Sequence, residues 1–170
     1  MRRRRFFQVS ALGAVGLGAA LVVGEHTFGR AWPTALDTSL GLAVLSSSES
    51  QTLRAVAMRI LDGATPDVSS DGGAAVCQFV DRYLGNLPRP LRQDVRALLH
   101  LVELFPLLQL RMARFCRLRS DEQDAVLAGW QDSRVALLRQ GFQALKSLCC
   151  LAHYQDARSF ASIGYAGPLL

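Results

Sequence analysis

Apolar residues in this chain recur at intervals of three and four positions, which places them on one face of an α-helix. The first such segment opens with Ser46 and Glu49, spaced as a capping box. Behind them comes an apolar stripe made of Leu53, Val56, Ala57, Ile60 and Leu61. No segment shows a convincing alternation of apolar and polar residues bounded by hairpin turns, as β-hairpins require. The pattern therefore favours helices over strands.

Further helices are expected along the rest of the chain. Pro106 is expected to open a helix of its own, because proline is tolerated in a first turn, with an inward apolar set of Leu107, Leu108, Leu110, Met112 and Phe115. A second capping box is expected to start a helix at Ser120. The remaining helices are expected over 74–84, 91–104 and 134–154, before an irregular tail over 156–170. The predicted fold is all-α, an irregular bundle of five or six helices.

Residues 1–24 combine an arginine cluster with an uncharged apolar run, which is the layout of an export signal. Arg3, Arg4, Phe6 and Phe7 fit the twin-arginine pattern, in which two arginines precede a spacer, a phenylalanine and an apolar residue. That route carries proteins that are already folded. We therefore expect export to the periplasm through the twin-arginine translocase.

The same segment also fits a membrane anchor. Its apolar run of roughly 19 residues gives about 28 Å of helix, close to the bilayer core of about 30 Å. An uncleaved signal is itself an anchor, so cleavage and retention both stay open. Residues 25–44 are expected to be a linker, and 45–170 the helical domain.

The charge of the chain is concentrated in this leader. The formal net charge is +5, from 19 lysines and arginines against 14 acidic residues. Four of those cations are the arginines at positions 2–5, so the rest of the chain carries 15 cations against the same 14 anions. A nucleic-acid-binding domain needs a basic face of its own. A nucleic acid is therefore not expected as a partner.

The cysteines offer no recognisable metal or haem motif. Cys77, Cys116, Cys149 and Cys150 contain no C-x-x-C pair, so neither covalent haem attachment nor a zinc site is indicated. We expect them to be buried free thiols that act as small apolar side chains. The aspartates of the 63–73 loop region lack the spacing of a calcium loop.

No residue pattern predicts catalysis in this chain. There is no G-x-S-x-G motif and no serine with an evident histidine and acid. We therefore expect no catalytic, cofactor-binding or metal-binding residue, and no enzyme activity of its own. One alternative stays open, a membrane-anchored helical electron-transfer or haem-binding protein that uses His100, His153 or Met112.

Several short motifs, in order, resemble the gluconate 2-dehydrogenase subunit 3 family. They are Leu45–Glu49, Phe79–Asp81, Arg114-Phe115, Leu118–Trp130, Ser133-Arg134, Phe142–Lys146 and Ile163–Pro168. With the leader, the resemblance covers nearly the whole chain. It implies a non-catalytic small subunit that accompanies an FAD-dependent dehydrogenase of the glucose–methanol–choline (GMC) oxidoreductase group.

The resemblance also implies how the partners divide the work. FAD is expected in the large dehydrogenase subunit, which has no signal of its own and is exported with this chain. A cytochrome c subunit is a further candidate partner. No catalytic residue can be carried over from the family. The residues predicted to contact the partner are Arg114, Phe115, Trp130, Arg134, Tyr154, Tyr165 and Pro168.

Overall fold

The computed structural model describes residues 36–61, 71, 73–155 and 159, and within these ranges the regular structure is helical. The only β feature there is an isolated bridge between Leu36 and Ser46. The helices are α1 (Ser47–Ile60), α2 (Ala74–Gly85), α3 (Arg89–Leu108), α4 (Ser120–Gln131) and α5 (Ala136–Tyr154), with a 3₁₀ turn at Phe115–Arg117. The all-α prediction is confirmed. The predicted leader, with Arg3, Arg4, Phe6 and Phe7, lies outside the described residues.

Helix α1 occupies the centre of the bundle. Its predicted capping box is present: the Ser46 hydroxyl accepts from the Glu49 amide at 3.3 Å, and the Glu49 carboxylate accepts from the Ser46 amide at 2.8 Å. The predicted stripe is buried except for the partly exposed Ile60, and Leu53 and Val56 are fully inaccessible. Helix α1 packs against the other four helices and the 3₁₀ turn.

The segment before α1 belongs to the folded domain, although the sequence assigned it to a linker. Asp81 of α2 accepts hydrogen bonds from the amides of Ala43, Val44 and Leu45 at 2.9, 2.8 and 2.8 Å. Leu42 is buried in the same stretch. A buried carboxylate that accepts several amide protons is well satisfied. These hydrogen bonds to Asp81 therefore hold the segment against α2.

The prediction that Pro106 opens a separate helix is wrong. Helix α3 runs without interruption from Arg89 to Leu108 and contains Pro106 in its last turn. Proline there removes only one hydrogen bond of a helix that ends two residues later, so the cost stays at the terminus. The Pro106 side chain is buried, and the chain that follows is a turn and a 3₁₀ segment.

The second predicted capping box is only half formed. Helix α4 begins at Ser120, so Arg119 occupies the cap position. The Glu122 carboxylate accepts from the Arg119 amide at 3.2 Å. An arginine side chain has no acceptor, so it cannot return the second bond of the box.

Helices α4 and α5 approach closely where Gly141 faces Trp130. The Trp130 ring is fully buried and meets Phe105 edge-on, with ring centroids 5.2 Å apart. A β-carbon on Gly141 would lie 3.1 Å from the Trp130 ring and 2.9 Å from the end of Leu98. Glycine therefore permits this approach. None of the helices in the described ranges is long and apolar enough to span a bilayer.

Candidate partner-binding surface

Glu49 is a buried carboxylate with several donors around it. Its Oε1 lies 2.7 Å from Nε of Arg96 and 3.1 Å from Nε2 of His100, both on α3. Burial alone would raise the pKa of Glu49, but the hydrogen bonds from His100, Arg96 and the Ser46 amide outweigh it and lower the pKa to about 2. At neutral pH Glu49 is therefore an anion that joins the start of α1 to α3.

A second buried carboxylate, Glu103, links α3 to α1 and the 3₁₀ turn. It accepts from the Thr52 hydroxyl at 3.1 Å, the Cys116 amide at 3.0 Å and the Cys116 thiol at 2.9 Å. Burial and the hydrogen bond to Glu103 raise the pKa of Cys116 to about 12. The thiol therefore stays protonated and acts as a donor rather than a nucleophile.

The other buried cysteines are equally unsuited to chemistry. Burial raises the pKa of Cys77 and of Cys149 to about 12. The four cysteines within the described ranges are free thiols. Among these same residues, no group of three or more His, Cys, Asp or Glu side chains is arranged to hold a metal ion. His153 is buried beside the ring of Tyr154, at a centroid distance of 5.1 Å.

The residues predicted to contact a partner fall into separate environments. Phe115 and Trp130 are fully buried, so they support the core and are not carried forward as contact residues. Arg114 is exposed immediately before the 3₁₀ turn. Tyr154 is half-exposed at the end of α5.

The three remaining predicted contact residues are Arg134, Tyr165 and Pro168. Tyr165 and Pro168 lie outside the described residues. Arg134 is exposed in the connection between α4 and α5. The structure therefore leaves Arg114, Arg134 and Tyr154 as surface positions from the predicted set.

A surface feature that the sequence did not predict follows α3. We call residues 107–112 the apolar turn. The sequence placed its leucines and Met112 inside a helix bundle, and this prediction is wrong. Leu108 is 71% exposed, Leu110 91% and Met112 100%, while Leu107 is partly exposed. Leu107 and Leu108 lie in the last turn of α3, whereas Leu110 and Met112 follow its end, and none of the four side chains is packed in the core.

The apolar turn is closed by a Schellman motif with an unusual residue in its left-handed position. The Arg111 amide donates to the Pro106 carbonyl at 3.0 Å, and the Leu110 amide donates to the Leu107 carbonyl at 3.1 Å. Leu110 has φ of +61°, and it is the one non-glycine residue with positive φ in the described part of the chain. Glycine normally occupies this position, and a leucine costs about 1 kcal/mol there.

Arginines lie both within the apolar turn and after it along the chain. Arg111 pairs with Glu122 at 3.3 Å and Arg119 pairs with Asp121 at 2.8 Å. A cleft of about 290 Å³ is lined by Gln51, Arg54, Cys116 and Arg117. No acidic side chain is among these four. The charged side chains that line the cleft are therefore both basic.

Most of these features had no signal in the sequence. The partners of Glu103 come from two other elements, α1 and the 3₁₀ turn, and nothing local marks them. The apolar turn also lacked a local signal, because a glutamine and a leucine follow α3 in place of the glycine that commonly ends a helix.

Comparison with known proteins gives one clear result. The family model for gluconate 2-dehydrogenase subunit 3 matches residues 47–165, well over half of the chain. No curated protein and no solved structure matches. The match spans all five described helices, together with the buried carboxylates Glu49, Asp81 and Glu103. This chain belongs to the gluconate 2-dehydrogenase subunit 3 family.

Proposed function

We propose that this chain is the non-catalytic accessory subunit of a periplasmic, FAD-dependent GMC-type dehydrogenase. In this role it binds the folded flavin subunit in the cytoplasm, carries it through the twin-arginine translocase and stabilises it afterwards. Its leader supplies the export signal and, if it is not cleaved, a membrane anchor. The substrate is oxidised on the companion chain.

Family membership is the observation that carries this proposal. The family is named for a subunit of gluconate 2-dehydrogenase and matches residues 47–165. Two buried carboxylates add support, because each has a structural task. Glu49 binds Arg96, and Glu103 accepts from Cys116. Such groups stabilise the fold of the subunit, and the proposal assigns them no other role.

The alternative, a haem-binding electron-transfer protein, has no specific observation in its favour. Met112 is fully exposed in the apolar turn, and Nε2 of His100 lies against the Glu49 carboxylate. A haem ligand needs its donor atom directed into the haem pocket. An absorption spectrum of the purified chain distinguishes the two functions, because bound haem gives a Soret band.

Export provides the functional test. We expect the double substitution Arg3→Lys with Arg4→Lys to leave both this subunit and the flavin dehydrogenase in the cytoplasm, still associated with each other. The conservative exchange keeps the positive charge and removes only the paired arginines. Arg2→Lys, outside the pattern, is the matched control and should export normally. Dehydrogenase activity that still reaches the periplasm in the double variant contradicts the escort role.

A further inference from the structure

We propose that the apolar turn, residues 107–112, is the surface that docks on the dehydrogenase subunit. Its apolar side chains enter an apolar groove of that subunit, and the arginines that follow contact carboxylates on the rim of the groove. This inference rests on the proposed function, because the occupant is the partner named there. It adds the location of the interface, which family membership does not give.

Exposure is the first observation. Leu108, Leu110 and Met112 lie within one turn of chain and are 71%, 91% and 100% exposed. Single exposed apolar residues are ordinary on a protein surface, whereas a concentration of large ones marks an interaction site. Methionine also adapts its shape readily to an apolar groove.

The backbone of Leu110 is the second and independent observation. Its φ of +61° is the conformation that glycine adopts without cost at the end of a helix. Here a leucine occupies it, and its side chain is 91% exposed, so the isolated subunit gains almost no burial in return. Backbone strain that no burial within the subunit offsets is typical of a residue whose side chain contacts another molecule.

The charges beside the turn indicate the chemistry of the partner. Arg114 and Arg117 are exposed on the segment that follows Met112, and Arg117 also lines the cleft with Arg54 and Gln51. Guanidinium groups bind carboxylates with two parallel hydrogen bonds. An apolar groove with an acidic rim would therefore complement this surface.

A second copy of the same chain fits less well than the dehydrogenase. In a two-fold dimer built on this turn, each copy would present the same surface to the other. Arginines close to the two-fold axis would then lie near their own copies, and like charges across an interface are repulsive. The dehydrogenase subunit is the partner that family membership supplies.

The test uses the full-length subunit and the dehydrogenase that is expressed with it, identified by its bound FAD and by mass spectrometry. The purified dehydrogenase is titrated onto immobilised subunit variants. We expect Leu110→Gly and Met112→Ser each to weaken binding about 10-fold or more. Leu110→Gly should at the same time shift the unfolding equilibrium of the subunit about 5-fold toward the folded state. If Leu110 only served the fold, its substitution by glycine would not weaken binding while making the subunit more stable.

The matched control is Leu91→Ser. Leu91 is 51% exposed at the opposite end of the same helix, roughly 25 Å from the turn. This variant should bind like the wild type.

The possible results separate the inference from the proposed function. If the wild-type subunit fails to bind the dehydrogenase, the proposed function itself is wrong. If the wild type binds and both turn variants bind within about 2-fold of it, the inference is overturned and the proposed function stands. If the subunit alone is a dimer that Met112→Ser dissociates, the turn binds a second copy and the inference is again overturned. Met112 is fully exposed, so its substitution tests docking even if Leu110→Gly alters folding.

Discussion

Replacing Glu49 by glutamine tests whether the buried ion pair holds α1 against α3. The pKa of this carboxyl is lowered from 4.5 to about 2, and its side chain is inaccessible to water. Each pKa unit corresponds to about 1.4 kcal/mol, so the charged form stabilises the fold by about 3 kcal/mol. We therefore expect Glu49→Gln to lower the free energy of unfolding by about that amount at pH 7.

The pH dependence of this loss has a definite sign. A lowered carboxyl pKa gives stability that is fully present above pH 4.5 and disappears as the pH falls toward 2. The difference between wild type and Glu49→Gln should therefore shrink over that window, since Glu49 becomes increasingly protonated, and so neutral like glutamine, as the pH approaches 2. Taking a difference cancels the titration of the groups that do not interact with Glu49.

The assay is urea unfolding of both purified proteins, followed by circular dichroism at a series of pH values from neutral downward. Asp94→Asn, on the exposed surface of α3, is the control and should change the free energy of unfolding little. A difference between wild type and Glu49→Gln that stays constant as the pH falls through this window would refute the reasoning.

The same urea assay tests local packing by substitutions at two glycines and a partly buried hydrogen bond by substitutions at Cys116. Gly129→Ala should stabilise α4 by about 0.5–1 kcal/mol, because its β-carbon would meet nothing within 4 Å, whereas Gly141→Ala should lose that gain against Trp130. Equal gains at both glycines would contradict the packing described. Cys116→Ala should cost about 1–3 kcal/mol by removing a donor to Glu103, and Cys116→Ser should recover part of it; equal losses would show that the thiol hydrogen bond contributes nothing.

The start of α1 was predictable from the sequence because its determinants are local. A serine and a glutamate three residues apart hold each other's amides, and the apolar stripe behind them follows directly. The same holds for the helical class of the whole fold, which depends only on the spacing of apolar residues.

The end of α3 was not predictable in this way. The apolar pattern continues through Met112, while the helix stops at Leu108. The contacts that fix the following chain are long-range: Phe115 enters the core, and Glu103 holds the amide and thiol of Cys116. Periodicity cannot show such contacts, so exposed leucines were assigned to the core.

The resemblance to the family was informative about membership and less so about individual roles. Phe115 and Trp130 belong to the matching motifs, yet both are buried. A family motif can serve the fold of the subunit. A residue that matches such a motif therefore need not contact a partner. The surface positions Arg114, Arg134 and Tyr154 keep their predicted role as a hypothesis.

The central claim is that the redox chemistry resides on a companion chain that this subunit binds. Its most direct test is the absorption spectrum of the complex captured through the full-length subunit, compared with that of the subunit expressed alone. The account predicts a flavin spectrum for the complex, with FAD on the dehydrogenase chain, and a colourless subunit alone. Flavin or haem bound to the subunit in the absence of any second chain would contradict it.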